Sequence, residues 1–184
     1  MAQEYFRALL DVVLAIGSSL ETKDVLKKVA EQTAATMECK ASTIRLLDRS
    51  GRFLLPSADF GLSENYMRKG PVEVKRSGMD GEVLAGAIIH LRDAAKDGRF
   101  QYPESAKAEG LVSVLSAPLM SEGKPIGLIR VYSAAERDFT ELEYNFLGGV
   151  AAVAAIAIQN ARLHEQLRSN YELMAKHTYQ VFED

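Results

Sequence analysis

The chain has 184 residues, of which 47% are hydrophobic and 26% are charged, and its formal net charge is −3. These values exclude a disordered chain and a collagen-like repeat, and without a basic excess nucleic acid is not an expected partner. The longest apolar stretch without a charged residue, Phe146–Ile158, is shorter than the roughly 20 residues that a membrane-spanning helix needs. The single cysteine, Cys39, cannot form an internal disulfide. We therefore expect a soluble cytoplasmic domain that does not enter a membrane.

Two helices are predicted before the first strand. Apolar residues recur at spacings of three and four over Gln3–Ile16, which is the period of an amphipathic helix, and a second such pattern covers 22–37. The runs 41–47 and 52–58 are rich in β-branched and apolar residues, and they flank the turn-forming Asp48-Arg49-Ser50-Gly51. A β-hairpin is predicted there.

The middle of the chain, from Gly61 to Gly110, contains seven glycines. Short helices and strands are predicted to alternate in it, over 64–69, 72–74, 80–85, 87–91 and 104–108. Such short pieces, held on a sheet, are where binding cavities usually lie. The apolar runs 111–120 and 125–133 then predict a second hairpin, with strands that are covered on both faces.

A long helix is predicted at the end of the chain. Thr140 and Glu143 have the spacing of a capping box, which marks a helix start. No proline follows, so one helix is predicted from Glu141 to about Phe182, which is ~60 Å at 1.5 Å per residue. A small domain is only ~30 Å across, so half of this helix must extend beyond it.

Apolar residues continue along the extending half at alternating spacings of four and three, as in the seam of a coiled coil. The predicted dimer seam consists of Val153, Ile156, Asn160, Leu163 and Leu167. The alternative is that residues 150–158 pack on the sheet and that the end of the helix frays.

The order of these elements resembles that of a GAF domain, and three groups of motifs carry the resemblance along residues 20–167. They are Ala41–Asp48 with Gly51; Gly78–Val83, Ile88–Asp93 and Asp97–Phe100; and Leu115–Leu119, Gly123–Ile129, Arg137–Thr140 and Ile156–Leu163. The resemblance implies an α+β fold: an antiparallel sheet of about six strands, with helices on one face and a ligand pocket on the other. It divides the chain into an N-terminal helix (1–19), a GAF-like domain (20–160) and a helical extension (161–184).

Some GAF domains carry chemistry that leaves a mark in the sequence, and this chain lacks those marks. Bilin-binding members attach their chromophore to a cysteine near the pocket, whereas Cys39 lies at the end of the second predicted helix. The Asn-Lys pair of cyclic-nucleotide-binding members does not occur, and one cysteine cannot complete the thiol cycle that reduces methionine sulfoxide. The histidines lie far apart, so no metal or haem site is expected. We therefore predict neither an enzyme nor a cofactor.

Two arginines in the middle of apolar strands are the main candidates for a binding site. Arg45 and Arg130 lie within such runs, and a buried charge is costly unless it is paired or holds an anion. In the GAF fold these strands are neighbours, so the resemblance implies that both arginines clamp a carboxylate or phosphate. The alternative is that each pairs with an acidic neighbour or lies at the solvent rim. The other predicted ligand-binding residues are His90, Arg92 and Asp93 in the pocket wall, with Ser116 and Tyr132 as polar contacts.

The resemblance implies a sensory or regulatory domain of signal transduction. We expect it to bind a small molecule, which the two arginines suggest is anionic, and to relay the change through a homodimeric helical bundle to an effector domain or partner protein. Such a relay needs two helix arrangements with different affinities for the ligand. The alternative is a structural dimerisation module that binds no ligand and fills its cavity with its own side chains.

Overall fold

The computed structural model describes residues 2–18 and 22–180 and confirms the predicted α+β fold. In chain order, the elements are α1 (Ala2–Ser18), α2 (Thr22–Thr36), β1 (Ala41–Leu47), β2 (Phe53–Phe60), α3 (Glu64–Met67), β3 (Val72–Glu73), a 3₁₀ turn (Val74–Arg76), α4 (Gly78–Leu84), β4 (Ile89–Leu91), α5 (Pro103–Glu109), β5 (Ser113–Ser121), β6 (Lys124–Ser133) and α6 (Glu141–Gln180). Both predicted hairpins, β1–β2 and β5–β6, are present.

The six strands form one antiparallel sheet in the order β3-β2-β1-β6-β5-β4. At its centre, Arg45 of β1 lies opposite Leu128 of β6, and Thr43 lies opposite Arg130. Residues directly opposite in an antiparallel pair, and residues two apart on one strand, point to the same face of the sheet. Both arginines and Thr43 therefore share one face.

Helices α1, α2 and α6 cover the other face. The residues that alternate with the arginines, Ile44 and Ile129, are completely buried in the core that these helices form with the sheet. Helix α6 packs on β5 and β6, and it contributes small side chains to this core, among them Ala151 and Ala154. The main core thus lies between the sheet and the helices.

Residues 61–110, which we call the cover segment, lie over the face that carries the arginines. They bury Tyr66, Met79 and Phe100 against the sheet. The predicted elements are present here, with shifted ends. Strand β4 begins at Ile89 rather than at residue 87, because the chain first turns at Gly86, whose φ of +107° is accessible to glycine.

Helix α6 is continuous over 40 described residues, and the predicted end at 181 and 182 lies outside the described part of the chain. It begins with the predicted capping box: the Glu143 amide donates to Thr140 Oγ1 at 3.3 Å, and the Thr140 amide donates to Glu143 Oε2 at 2.7 Å. By length and composition alone α6 could cross a membrane, with a mean hydropathy of 1.5 over its most apolar window. Apolar residues in its first half, including Leu147 and Val150, are completely buried in the main core, and 39% of that window is buried in all. Packing on the sheet thus accounts for part of this hydropathy.

Candidate ligand pocket

Arg130 forms a buried ion pair with Asp80, which lies in the first turn of α4. Arg130 Nη2 donates to Asp80 Oδ1, and the two side chains are 3% and 2% exposed. The Phe100 ring lies beside the guanidinium, with its centroid 5.5 Å from Cζ. Burial, the largest single effect, lowers the pKa of Arg130, but the Asp80 carboxylate together with Tyr132 and Tyr66 outweighs it, so the pKa is raised. Pairing with an acidic neighbour, the alternative to an anion clamp, is thus what the structure shows for Arg130.

Arg45 is buried as deeply, at 1% exposure, but it lacks a comparable partner. Its Nη1 donates to the Leu54 carbonyl at 3.4 Å, which is a long and weak hydrogen bond. Its Nε and Nη2 have no hydrogen-bond partner within residues 2–18 and 22–180. A buried cation without a compensating group costs several kcal/mol. The fold therefore holds an uncompensated positive charge at the centre of the sheet.

The cover segment closes a small cavity over the two arginines. Its remaining lining residues are Lys69, Val72, Asp80, Phe100, Gln101, Tyr102 and Tyr132. The cavity volume is about 10 Å³, which is roughly the room that one water molecule needs. Any larger ligand must therefore displace part of the cover segment.

Lys69 is the third basic group at this cavity. Its Nζ lies 2.9 Å from the centroid of the Tyr66 ring and 5.5 Å from that of Tyr102. Burial, reinforced by the charges of Arg45 and Arg130, lowers the pKa of Lys69 to about 6. Lys69 is therefore mostly uncharged at neutral pH, since protonation would add a further positive charge beside the arginines.

The comparisons with known proteins agree with the fold. The family model of the GAF domain matches residues 21–158. The chain belongs to the GAF domain family. Membership places it among sensory and regulatory domains of signalling proteins. No match was found among curated proteins.

Solved structures with this fold come from several kinds of protein. The GAF domain of a phosphoenolpyruvate-protein phosphotransferase from Acinetobacter is 25% identical, with a TM-score of 0.73 over 86% of this chain and 94% of that one. A methyl-accepting chemotaxis protein is 20% identical, with a TM-score of 0.69 over 83% of this chain and 97% of that one. The free methionine-R-sulfoxide reductase of Neisseria meningitidis, solved with its substrate, is 16% identical, with a TM-score of 0.74 over 89% and 93% of the two chains. The last two share the fold alone.

Two further predicted residues of this GAF domain lie on the pocket face. Tyr132 lines the cavity, and its ring meets that of Tyr66 edge-on, with centroids 6.2 Å apart. Ser116 of β5 lies opposite Arg130, and its Oγ donates to the Ile129 carbonyl at 3.3 Å. The structure thus brings both predicted arginines, the serine and the tyrosine to one face of the sheet.

His90 points to the opposite face, so it does not form part of the pocket wall as predicted. It lies opposite Leu115, a residue of the main core beneath the helices. Its Nε2 is 3.1 Å from the Arg137 carbonyl oxygen, and its ring meets Phe139 edge-on with centroids 5.3 Å apart. The prediction placed His90 on the wrong side of β4.

Arg92 and Asp93 also lie away from the cavity. Arg92 is exposed and forms an ion pair with Glu136 at 2.8 Å, and Asp93 forms one with Lys96 at 2.7 Å. Neither residue lines the cavity around Arg45. These side chains follow the end of β4, where the chain leaves the sheet and turns towards solvent.

Sequence reasoning did not assign Asp80 and Lys69 to the site. Asp80 carried a signal, because it lies in a family motif, Gly78–Val83, within the segment expected to cover the pocket. It was an available acidic partner for one of the two arginines. Lys69 carried no such signal. It lies between a short predicted helix and the turn-forming Gly70 and Pro71, where a lysine exposed to solvent is expected.

Cys39, the only cysteine, packs against the main core on the helix side of this GAF domain. Burial raises the pKa of its thiol to about 12. A protonated thiol is a poor nucleophile. Within the described residues, no group of three or more His, Cys, Asp or Glu side chains is placed to hold a metal ion.

A larger groove of about 800 Å³ lies between the turn at 48–51 and residues 162–169 of α6. Three of its four charged lining residues, Arg49, Arg162 and Glu165, are exposed to solvent, and the fourth, Asp48, is half-buried. Water and salt screen charges in such a position. The buried cavity at Arg45 is the stronger candidate, since its charges are desolvated.

Proposed function

We propose that this GAF domain is a sensor that binds a small anion at Arg45, between the sheet and the cover segment. The observation that carries the proposal is the buried Arg45 guanidinium, whose Nε and Nη2 lack partners among the described residues. Two oxygens of one carboxylate or phosphate would satisfy both donors at once. Arg130 Nε and the Thr43 hydroxyl, on the same face, also lack partners in the described part of the chain and are available to the anion.

The sheet provides a direct route from this pocket to the helices. Arg45 and Arg130 face the pocket, whereas Ile44 and Ile129, next to them in the strands, are packed in the core that contains α6. Interiors are close-packed, so a shift of β1 or β6 on ligand binding would be felt at this core. The ligand signals only if it binds one helix arrangement more tightly than another.

Helix α6 carries an apolar stripe that a second copy of the chain would cover. Ile156, Leu163 and Leu167 are 61%, 48% and 55% exposed, and Asn160 is exposed between them. Val153, the first predicted seam residue, is partly buried against the main core. Helix α1 adds further exposed apolar residues, Phe6, Leu10 and Leu14. We place the homodimer contact along these two helices, with the signal leaving through α6 to an effector domain or partner protein.

The dimer is tested by replacing Leu163 and Leu167 with aspartate. Charges in a buried seam are costly, so the double variant should sediment as a monomer at concentrations where the wild type is a dimer. Gln166→Asp, on the same turn but off the seam, is the matched control and should stay dimeric. A monomeric wild type, or a dimer that both variants keep, would refute the helical interface.

Anion binding is tested by native mass spectrometry of the protein as purified, together with thermal melts in acetate, malonate, phosphate and sulfate. We expect either a retained small anionic adduct or a rise in Tm with at least one of these anions. Arg45→Met should abolish both effects, and Arg49→Met, the same change at an exposed position, should abolish neither. An anion effect that survives Arg45→Met, or none in the wild type, would overturn the proposal.

The small cavity favours a second candidate, a structural dimerisation domain that binds no ligand. Phe100, Tyr102 and Lys69 already occupy most of the space over Arg45. In that case the wild type would be a dimer that carries no adduct and that no anion stabilises. The same two measurements therefore separate the two candidates.

A further inference from the structure

The charges around the cavity do not balance, and the imbalance depends on Lys69. Three basic side chains, Arg45, Arg130 and Lys69, line the cavity together with one carboxylate, Asp80. Because Asp80 is paired with Arg130, it neutralises that arginine. Arg45 therefore contributes one uncompensated positive charge, and a protonated Lys69 contributes a second.

Glu109, the other carboxylate that acts on Lys69, also binds a second group. Its Oε1 accepts from the Ser63 amide at 2.7 Å and its Oε2 accepts from the Ser63 hydroxyl at 2.6 Å, at the start of α3. These bonds fix the helix that precedes Lys69 to the end of α5. Glu109 is half-buried and does not line the cavity. From there it raises the pKa of Lys69, but burial and the two arginines have larger opposing effects. Two negative charges in the cavity would therefore neutralise Arg45 and a protonated Lys69.

We propose that the group bound in this pocket is a compact dianion of the phosphate type, held by Arg45 and Lys69 together, and that Lys69 takes up a proton from solvent when it binds. The inference rests on the proposed function and specifies the class of its ligand. A monoanion would balance Arg45 alone and would leave Lys69 uncharged. A phosphate group, free or as a monoester, carries both charges on one compact tetrahedron, so it would displace less of the cover segment than a larger dianion.

The protonation of Lys69 depends on every charged group that faces it. Burial has the largest effect on its pKa and, with Arg45 and Arg130, brings it to about 6, whereas Glu109 and Asp80 act in the opposite direction. Tyr66 and Tyr102 contribute only the faces of their rings. A bound dianion adds negative charge beside Lys69 and raises its pKa again. Above pH 6, each bound dianion should therefore be accompanied by about one proton.

Sulfate is the best probe, because it stays doubly charged over the whole pH range in which Lys69 titrates. Calorimetric titrations at pH 8 in two buffers of different ionisation enthalpy should give an uptake of about one proton. Affinity for sulfate should rise roughly tenfold for each pH unit from 8 down to 6. Nitrate, an oxyanion with a single charge, should bind more weakly, and its affinity should be nearly independent of pH.

Two variants of Lys69 make the test decisive. Lys69→Met should remove the proton uptake and flatten the pH dependence, whereas Lys75→Met, at an exposed lysine of the same segment, should leave both unchanged. Lys69→Arg keeps a permanent charge, so it should bind sulfate at pH 8 about as tightly as the wild type does at pH 6, without proton uptake.

The outcomes separate this inference from the proposed function. Sulfate binding that requires Arg45 but is independent of pH in the wild type would overturn the role of Lys69 and leave the anion sensor intact. Nitrate binding as tight as that of sulfate would overturn the dianion. If neither anion binds between pH 5.5 and 8.5 and Arg45→Met changes no melt, the proposed function fails and the inference fails with it.

Discussion

Replacing Arg45 by methionine should stabilise the ligand-free protein, whereas the same change at Arg130 should destabilise it. The two arginines lie on neighbouring strands, on one face of the sheet, and are equally buried. They differ in their partners: Arg130 has the Asp80 carboxylate, and Arg45 has only a 3.4 Å contact to the Leu54 carbonyl. Most substitutions of buried residues destabilise a protein, so a stabilising one would indicate that Arg45 is retained for binding.

The magnitudes follow from the groups that each change removes. Arg45→Met removes two buried donors without partners, Nε and Nη2, each worth about 1–3 kcal/mol, and loses one weak hydrogen bond worth about 1 kcal/mol. The net gain should be about 1–5 kcal/mol. Arg130→Met leaves Asp80 buried and unpaired, which should cost about 3–5 kcal/mol. At about 2–4 °C per kcal/mol, the Tm values of the two variants should differ by at least about 8 °C.

The assay is urea unfolding at pH 8 and fixed protein concentration, because a dimer has a concentration-dependent stability. Each protein is first unfolded and refolded in Tris-chloride, so that a co-purified anion does not stabilise the wild type alone. Arg49→Met, at an exposed position, should change stability by less than about 0.5 kcal/mol. Destabilisation by Arg45→Met of the same size as that by Arg130→Met would show that Arg45 is satisfied in the folded protein, and the argument for an anion site would fail.

Three further predictions concern the pH dependence of stability, the start of α6 and the centre of the sheet. The pKa of Lys69 falls from its ordinary 10.5 to about 6 on folding, so between these values the folded state binds fewer protons and the wild type loses stability as the pH falls. In urea unfolding, the stability of Lys69→Met relative to the wild type should therefore rise from pH 9.5 to pH 6, and a constant difference would contradict this. Thr140→Ala removes the hydroxyl that caps the Glu143 amide and should lower stability by about 1 kcal/mol, and no change in Tm would show that the carboxylate alone caps α6. In Gly127→Ala the new Cβ would overlap the Arg45 carbonyl oxygen, so a loss of about 3 kcal/mol is expected, and a neutral result in chemical unfolding would contradict the β1–β6 register.

Short stretches of the sequence are enough to predict most of the secondary structure of this protein. Strand β1 was predicted with its observed ends, and α6 with its observed start, because a turn tetrapeptide and a capping box mark those positions within a few residues. The same local pattern singled out Arg45 and Arg130, since a charge inside an apolar strand is conspicuous without any knowledge of the fold. The ordered motifs were enough to indicate the GAF family.

The face of the sheet to which His90 points could not be predicted from its neighbours in the sequence. It lies in a three-residue strand flanked by apolar residues on both sides, so no alternation of polar and apolar residues shows which face each side chain takes. A shift of one residue in the pairing exchanges the two faces. Only the pairing of β4 with β5 placed His90 under the helices and left Arg92 and Asp93 beyond the end of the strand.

The sequence by itself therefore determined the elements, the family and the two candidate cations, since each depends on residues close together in the chain. Only the tertiary structure decided which cation is neutralised. Asp80 lies 50 positions from Arg130, and Lys69 reaches Arg45 only because the cover segment folds back over the sheet. Charge compensation at a buried site depends on distances in space, and those are fixed only when the segments pack together.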